Sequence, residues 1–128
     1  MLVRSKADYH KITMGLLSYV PDLKDTHRLT NEMDWYNQEE NRQLYLWKSD
    51  ETGDMAGVVG IEVDEELILL RHIAINPSYR EEGMAFDILS ALSEKFSPRK
   101  VVGTLKTSSL ISKWQKQSED SDHERETE

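Results

Sequence analysis

The chain has 128 residues, no cysteine and a formal net charge of -8. That length fits one domain with one hydrophobic core, and the missing cysteines exclude disulfides, a thiol nucleophile and a cysteine zinc site. Six acids against one base between Ser118 and Glu128 supply much of the charge; the acidic balance argues against nucleic-acid binding, which needs a basic face.

Leu2-Val3-Arg4 reads as a short strand. Asp8 is a candidate N-cap for a helix from Tyr9 to about Tyr19, with Ile12, Leu16 and Val20 on its apolar face. Pro21 ends it, and Asp22 or Asp25 can open a second helix, striped by Leu29, Met33 and Tyr36 out to about Glu39. The pattern then changes to strands at 43–48, 55–63 and 67–75, joined by polar turns at 49–54 and 64–66. Short connections of this kind make an antiparallel meander.

Asn76-Pro77-Ser78-Tyr79 stops the third of these strands. A helix is expected from about Gly83 to Phe96, carried by Ala85, Leu89, Leu92 and Phe96 and closed by Pro98. Residues 101–105 read as a strand, parallel to 67–75 because a helix separates them. Ser108 or Ser109 caps a last short helix through Trp114. The fold class is α/β, a mixed sheet in the order β-α-α-β-β-β-α-β-α. Residues 1–116 form the domain and 117–128 an acidic tail, too polar to pack and expected to be disordered. The first six residues precede no apolar run, so no secretory leader is expected. No stretch approaches about 18 apolar residues, so no membrane association is expected.

The chemistry is concentrated in Ile73-Ala74-Ile75-Asn76-Pro77-Ser78-Tyr79-Arg80-Glu81-Glu82-Gly83-Met84-Ala85. A strand runs through a turn into a helix start, where unpaired N–H groups and the helix dipole favour an anion. Gly83 and Ala85 allow close backbone approach, and Arg80 adds a cation.

Arg80-x-x-Gly83-x-Ala85, preceded by Ile73-Ala74-Ile75-Asn76-Pro77, resembles motif A of the GNAT acyltransferase superfamily. The resemblance covers about residues 2–115. Met14–Ser18, Arg42–Lys48 and Arg71-His72-Ile73 are similar to a branch of that superfamily encoded in riboflavin operons. The resemblance implies the GNAT fold, here without its usual C-terminal strand hairpin, so that the acceptor side is open or completed by a second subunit of a homodimer. It implies acetyl-CoA as cofactor and a cytoplasmic N-acetyltransferase, monomeric or homodimeric, acting on a small-molecule or protein amine. The alternative is a CoA-binding module with regulatory or scaffolding work.

By the same resemblance the pantetheine arm pairs with Ile73, Ala74 and Ile75. The pyrophosphate sits on backbone of Arg80, Glu81, Glu82, Gly83, Met84 and Ala85, and Ser108 or Ser109 touches the cofactor. The arm enters a gap between strands 67–75 and 101–105. Many relatives carry glycine directly after the motif arginine, where this chain has Glu81. Base candidates are Glu62, which interrupts an apolar strand, and His72, whose intrinsic pKa suits proton transfer. Arg71 either orients an acidic substrate or pairs with Glu62, and the pairing is the plainer reading. Where the family commonly places an acid tyrosine stands Trp114, which cannot protonate a thiolate and reads as a packing residue. The histidines show no metal-ligand spacing, so no metal is expected.

Overall fold

A computed structural model describes residues 1–79 and 83–126, with the side chains of the last helix as far as 119. Five strands, β1 (Leu2–Arg4), β2 (Arg42–Lys48), β3 (Met55–Val63), β4 (Leu67–Ile75) and β5 (Lys100–Gly103), form one sheet in sequence order. β1 to β4 are antiparallel neighbours, and β5 lies parallel to β4. Four α-helices complete the described residues: α1 (His10–Leu17), α2 (Thr26–Gln38), α3 (Met84–Lys95) and α4 (Ser108–Glu126). The element order and the parallel final pair are those the sequence predicts.

The period-two alternation of the strands divides the core into two layers. Leu44, Leu46 and Val58 face Leu16, Leu17, Leu29, Met33 and Tyr36 from α1 and α2. Their neighbours Tyr45 and Val59 point the other way, joining Ile61, Ile68 and Leu70 against Ile88, Leu89 and Leu92 of α3 and Ile111 of α4. Fully burying such aliphatic side chains stabilises by roughly 1.5–3 kcal/mol each.

The local signals hold at some helix ends and fail at others. Asp25 caps α2, accepting from the His27 amide at 2.8 Å. Asp8 caps nothing; it lies in a 3-10 turn over Ala7–Tyr9, and α1 begins after Tyr9 without a side-chain cap. Ile12 is correspondingly 45% exposed, and the buried face of α1 is Thr13, Leu16 and Leu17. The Thr13 hydroxyl is buried because it meets Ser5 Oγ at 2.7 Å, a polar pairing that an apolar-stripe reading misses.

β5 ends at Gly103, two residues before the expected limit, and Leu105 is 98% exposed. The last helix does not stop near Trp114 but continues to Glu126. Trp114 anchors it, donating from Nε1 to Ser90 Oγ on α3 at 3.0 Å, so its role is packing. The side chains from Gln115 to Glu119 are exposed.

Candidate active site

The difference in length between β4 and β5 creates the site. Pairing runs from Leu67↔Lys100 to Leu70↔Gly103 and stops there, while β4 continues to Ile75. The divider is Thr107, a residue that sequence reasoning misses in favour of its two serine neighbours. Its buried hydroxyl donates to the Leu70 carbonyl at 2.9 Å and accepts from the Thr104 amide at 2.9 Å. It thus occupies the position where the next ladder bond would form. Gly103 admits this turn: a Cβ there would lie 2.8 Å from Thr107 Oγ1 and 2.9 Å from the Ser108 amide. Ser108 and Ser109 are exposed, and the Ser108 hydroxyl turns back to the Leu105 carbonyl at 3.3 Å.

On its other edge β4 carries a bulge. Gly60 pairs with His72 but Ile61 with Leu70, so Arg71 has no partner on β3. Regular strands send successive side chains to opposite faces; a bulge re-aims them. Arg71 and His72 consequently line the same cleft despite being adjacent.

His72 is held from behind by α2. The Tyr36 ring crosses the sheet at Gly60, where any Cβ would overlap its hydroxyl and ring carbons, and reaches His72 Nδ1 at 2.6 Å. Burial, reinforced by Glu32 and Glu62 and opposed by Arg71, holds the Tyr36 phenol well above its ordinary pKa. It therefore keeps its proton and shares a hydrogen bond with His72 Nδ1. Burial, and secondarily the Arg71 guanidinium, pulls His72 down to about 4. The ring is neutral near pH 7, and its Nε2 lies 3.9 Å from Glu32 Oε1.

Glu62 does not line the cleft. It pairs with Arg71 at 3.2 Å, and the Arg71 and Arg42 guanidinium groups lie over the Trp35 ring, 4.8 and 4.1 Å from its centroid. The cleft carboxylate is instead Glu32, half-buried on α2. Its sequence signal is weak, a single acid between apolar positions of a helix, and only the docking of α2 on the sheet gives it meaning.

The space has two adjoining parts. One, about 410 Å³, runs beside Ile73, Thr107, Leu110 and Val20; the other, about 740 Å³, opens between α2 and the β5–α4 loop. Arg71 and His72 border both. An ion pair between Lys106 and Asp22 spans the mouth, linking the β5–α4 loop to the α1–α2 connection. Ile73 and Ile75 are half-buried on the edge of β4 that β5 leaves open, with Ala74 buried between them. At the far end of that edge α3 starts from Gly83, whose φ of 100° is left-handed and suits glycine. No side chain caps that helix start among the described residues, and a Cβ on Gly83 would meet nothing within 4 Å. Met84 and Ala85 form its first turn. Arg80, Glu81 and Glu82 lie outside the described residues. The open strand edge, the cleft beside it and the uncapped helix start together fit a long thioester cofactor with an anionic end.

No family model matches the chain. It is 38% identical over 114 residues to an uncharacterized N-acetyltransferase of the lysA 3' region of Bacillus methanolicus, an alignment covering 88% of this chain and 93% of that one. Among solved structures it resembles the aminoglycoside N-acetyltransferase AAC(6')-Iy in complex with a CoA bisubstrate analogue, with a TM-score of 0.67 and 14% identity over 92% of this chain and 87% of that one. It also resembles AAC(6')-Ih from Acinetobacter baumannii, with a TM-score of 0.64 and 16% identity over the same shares. A possible acetyltransferase from Clostridium difficile 630 superposes with a TM-score of 0.64 at 10% identity, over 94% and 88% of the two chains. The structural neighbours share the fold, the Bacillus methanolicus relative shares the sequence, and the chain belongs to the GNAT family of N-acetyltransferases.

Proposed function

We propose that this protein transfers an acetyl group from acetyl-CoA to an amine in the cleft between β4 and β5. The observation that carries the reading is the strand split at Leu70, held open by Thr107, with His72 and Arg71 turned into it by the bulge. Acetyl-CoA, when bound, supplies an activated acetyl group and a thiol leaving group. The open edge of β4 at Ile73, Ala74 and Ile75 offers backbone groups to its amide-bearing arm. The α3 start at Gly83, Met84 and Ala85, with Arg80, Glu81 and Glu82 before it, offers amides to its phosphates; Ser108 and Ser109 flank the arm from α4.

On the acceptor side, Glu32 attracts the ammonium and takes its proton. His72 Nε2–H donates into the cleft, its orientation fixed by Tyr36. Glu62 acts as a positioning residue, holding Arg71 over Trp35. Among the described residues the only other carboxylate bordering this space, Asp22, is engaged by Lys106.

The test is CoA release with a panel of amines, coupled to calorimetric titration with CoA. Glu32→Gln lowers kcat/KM by about 100-fold or more, the usual range for a lost general base, and leaves CoA affinity as it was. An unchanged kcat/KM overturns the role of Glu32. Absence of CoA binding to the wild type overturns the whole reading.

Two narrower readings attach to it. Similarity of Met14–Ser18, Arg42–Lys48 and Arg71–Ile73 to the RibT protein of riboflavin operons supports a link to riboflavin metabolism, and soluble cytoplasmic work as a monomer or homodimer. Trp114, standing where the family commonly has an acid tyrosine, supports slow turnover, and in the limit a CoA-binding module with regulatory or scaffolding work. Tight CoA binding without CoA release across the panel would select that second form.

A further inference from the structure

The acceptor cleft differs in charge from the chain as a whole. The protein carries -8, yet the larger part of the cleft is bordered by three cations, Arg28, Arg71 and Lys106, and two acids, Asp22 and Glu32. Lys106 is engaged by Asp22 and Arg71 by Glu62. That leaves Arg28 and Glu32. They sit four residues apart on α2, where side chains share a face about 5–6 Å apart at Cβ. Among the described residues no ion pair joins them, and none is formed by Arg28 with any other acid. His72, the remaining titratable group of the wall, is neutral near pH 7.

We infer that the acceptor is an amine that also carries an anionic group, a carboxylate or a phosphate, with its ammonium at Glu32 and its anion at Arg28. The inference rests on the acetyl-transfer reading for the position of the reacting amine. Two charges of opposite sign on one wall, not joined in an ion pair among the described residues, match a zwitterion. A polycation matches them badly: once Glu32 holds one ammonium, a further positive group meets Arg28 and, among the described residues, no free carboxylate. The aminoglycoside acetyltransferases share the fold, but this cleft does not suit a polycationic acceptor. Exposed cations also attract an anionic acceptor to the mouth, an effect that salt weakens.

The experiment uses matched amines on the full chain with acetyl-CoA: amino acids and dipeptides against their C-terminal amides, phosphoethanolamine against ethanolamine, with spermidine and kanamycin as polycations. In at least one series the anionic member has a kcat/KM at least about tenfold above its uncharged match, and which series it is separates carboxylate from phosphate. That ratio narrows as salt is added. Arg28→Gln narrows it several-fold and Arg28→Lys restores much of it. Lys106→Gln, which uncovers Asp22, narrows it independently. Equal rates within every pair, a polycation as the best acceptor, or an unchanged ratio in Arg28→Gln overturns the inference. Where no amine releases CoA, calorimetry on the CoA-loaded protein decides. Preferential binding of the anionic members, lost in Arg28→Gln, upholds the inference while acetyl transfer falls; no preference overturns it.

Discussion

The Tyr36 hydroxyl lies 2.6 Å from His72 Nδ1, joining the second helix to the central strand through the space above Gly60. This contact fixes the ring of the cleft histidine, and burial together with Arg71 keeps it neutral. His72 therefore presents an uncharged ring to the cleft at neutral pH.

A stability signature follows. The folded pKa of about 4 lies below the ordinary histidine value of 6.5. Below 6.5 the unfolded chain takes up a proton at His72 that the folded chain does not, so stability falls as pH drops from about 6.5 to about 4 and levels off below. The full effect of this one group is on the order of 3 kcal/mol. Urea unfolding of the wild type and of His72→Gln between pH 7 and pH 4 checks it. The wild type loses more stability over that window than the variant.

Gly60 is required by the ring that passes over it. In Gly60→Ala the new methyl overlaps the Tyr36 hydroxyl and ring carbons, and overpacking of this kind costs roughly 1–3 kcal/mol. Tyr36→Phe in the same chain relieves only part, removing the hydroxyl but keeping the ring, while Tyr36→Leu relieves more. Thermal unfolding of the two double variants, each against its single Tyr36 variant, shows the difference. Gly60→Ala costs less in the Tyr36→Leu background than in the Tyr36→Phe background.

Thr107 holds the strands apart through its hydroxyl. Thr107→Val keeps the shape but leaves the Leu70 carbonyl and the Thr104 amide without their partner. Leaving buried polar groups unpaired costs about 1–3 kcal/mol. Thr107→Ser, which keeps the hydroxyl, loses clearly less. CoA affinity falls in the valine variant, because the split it frames loses its fixed width; chemical denaturation and calorimetry report the two effects separately.

The end of α4 is expected to contribute little to the fold. Among the described residues its contacts with the core are made by Leu110, Ile111 and Trp114, and the side chains from Gln115 to Glu119 are exposed. A chain ending at Gln117 melts within about 4 °C of the full chain, the shift that about 1 kcal/mol produces in a domain of this size. A larger drop would show that the acidic segment docks on the domain.

The sequence by itself determined the elements and their order. Period-two alternation in 43–48, helical spacing in Leu29, Met33 and Tyr36, and the Asn76-Pro77 stop are local signals, and local geometry decides them. A helix between 67–75 and 101–105 is enough to make those strands parallel. A strand running through a turn into a helix start favours an anion there, and the resemblance of Arg80-x-x-Gly83-x-Ala85 to a family motif is what implies a CoA cofactor. The cap at Asp25 is legible for the same reason, since a cap needs only its own next three residues.

The site is not legible in that way. His72 is a candidate from its chemistry alone, but its neutral state comes from burial and from Arg71, and its Nδ1 is engaged by Tyr36, 36 residues away in the chain. Glu62 interrupts an apolar strand and so suggests either a base or a partner for Arg71; the fold pairs it with Arg71. Glu32 and Thr107 carry no pattern, because an acid on a helix and a threonine in a loop are ordinary until a strand edge is brought against them. The deciding feature is the bulge at Gly60 and Ile61. It turns the adjacent Arg71 and His72 to one side, against the alternation that every strand reading assumes. Register is a property of two paired strands, so one strand's sequence cannot specify it.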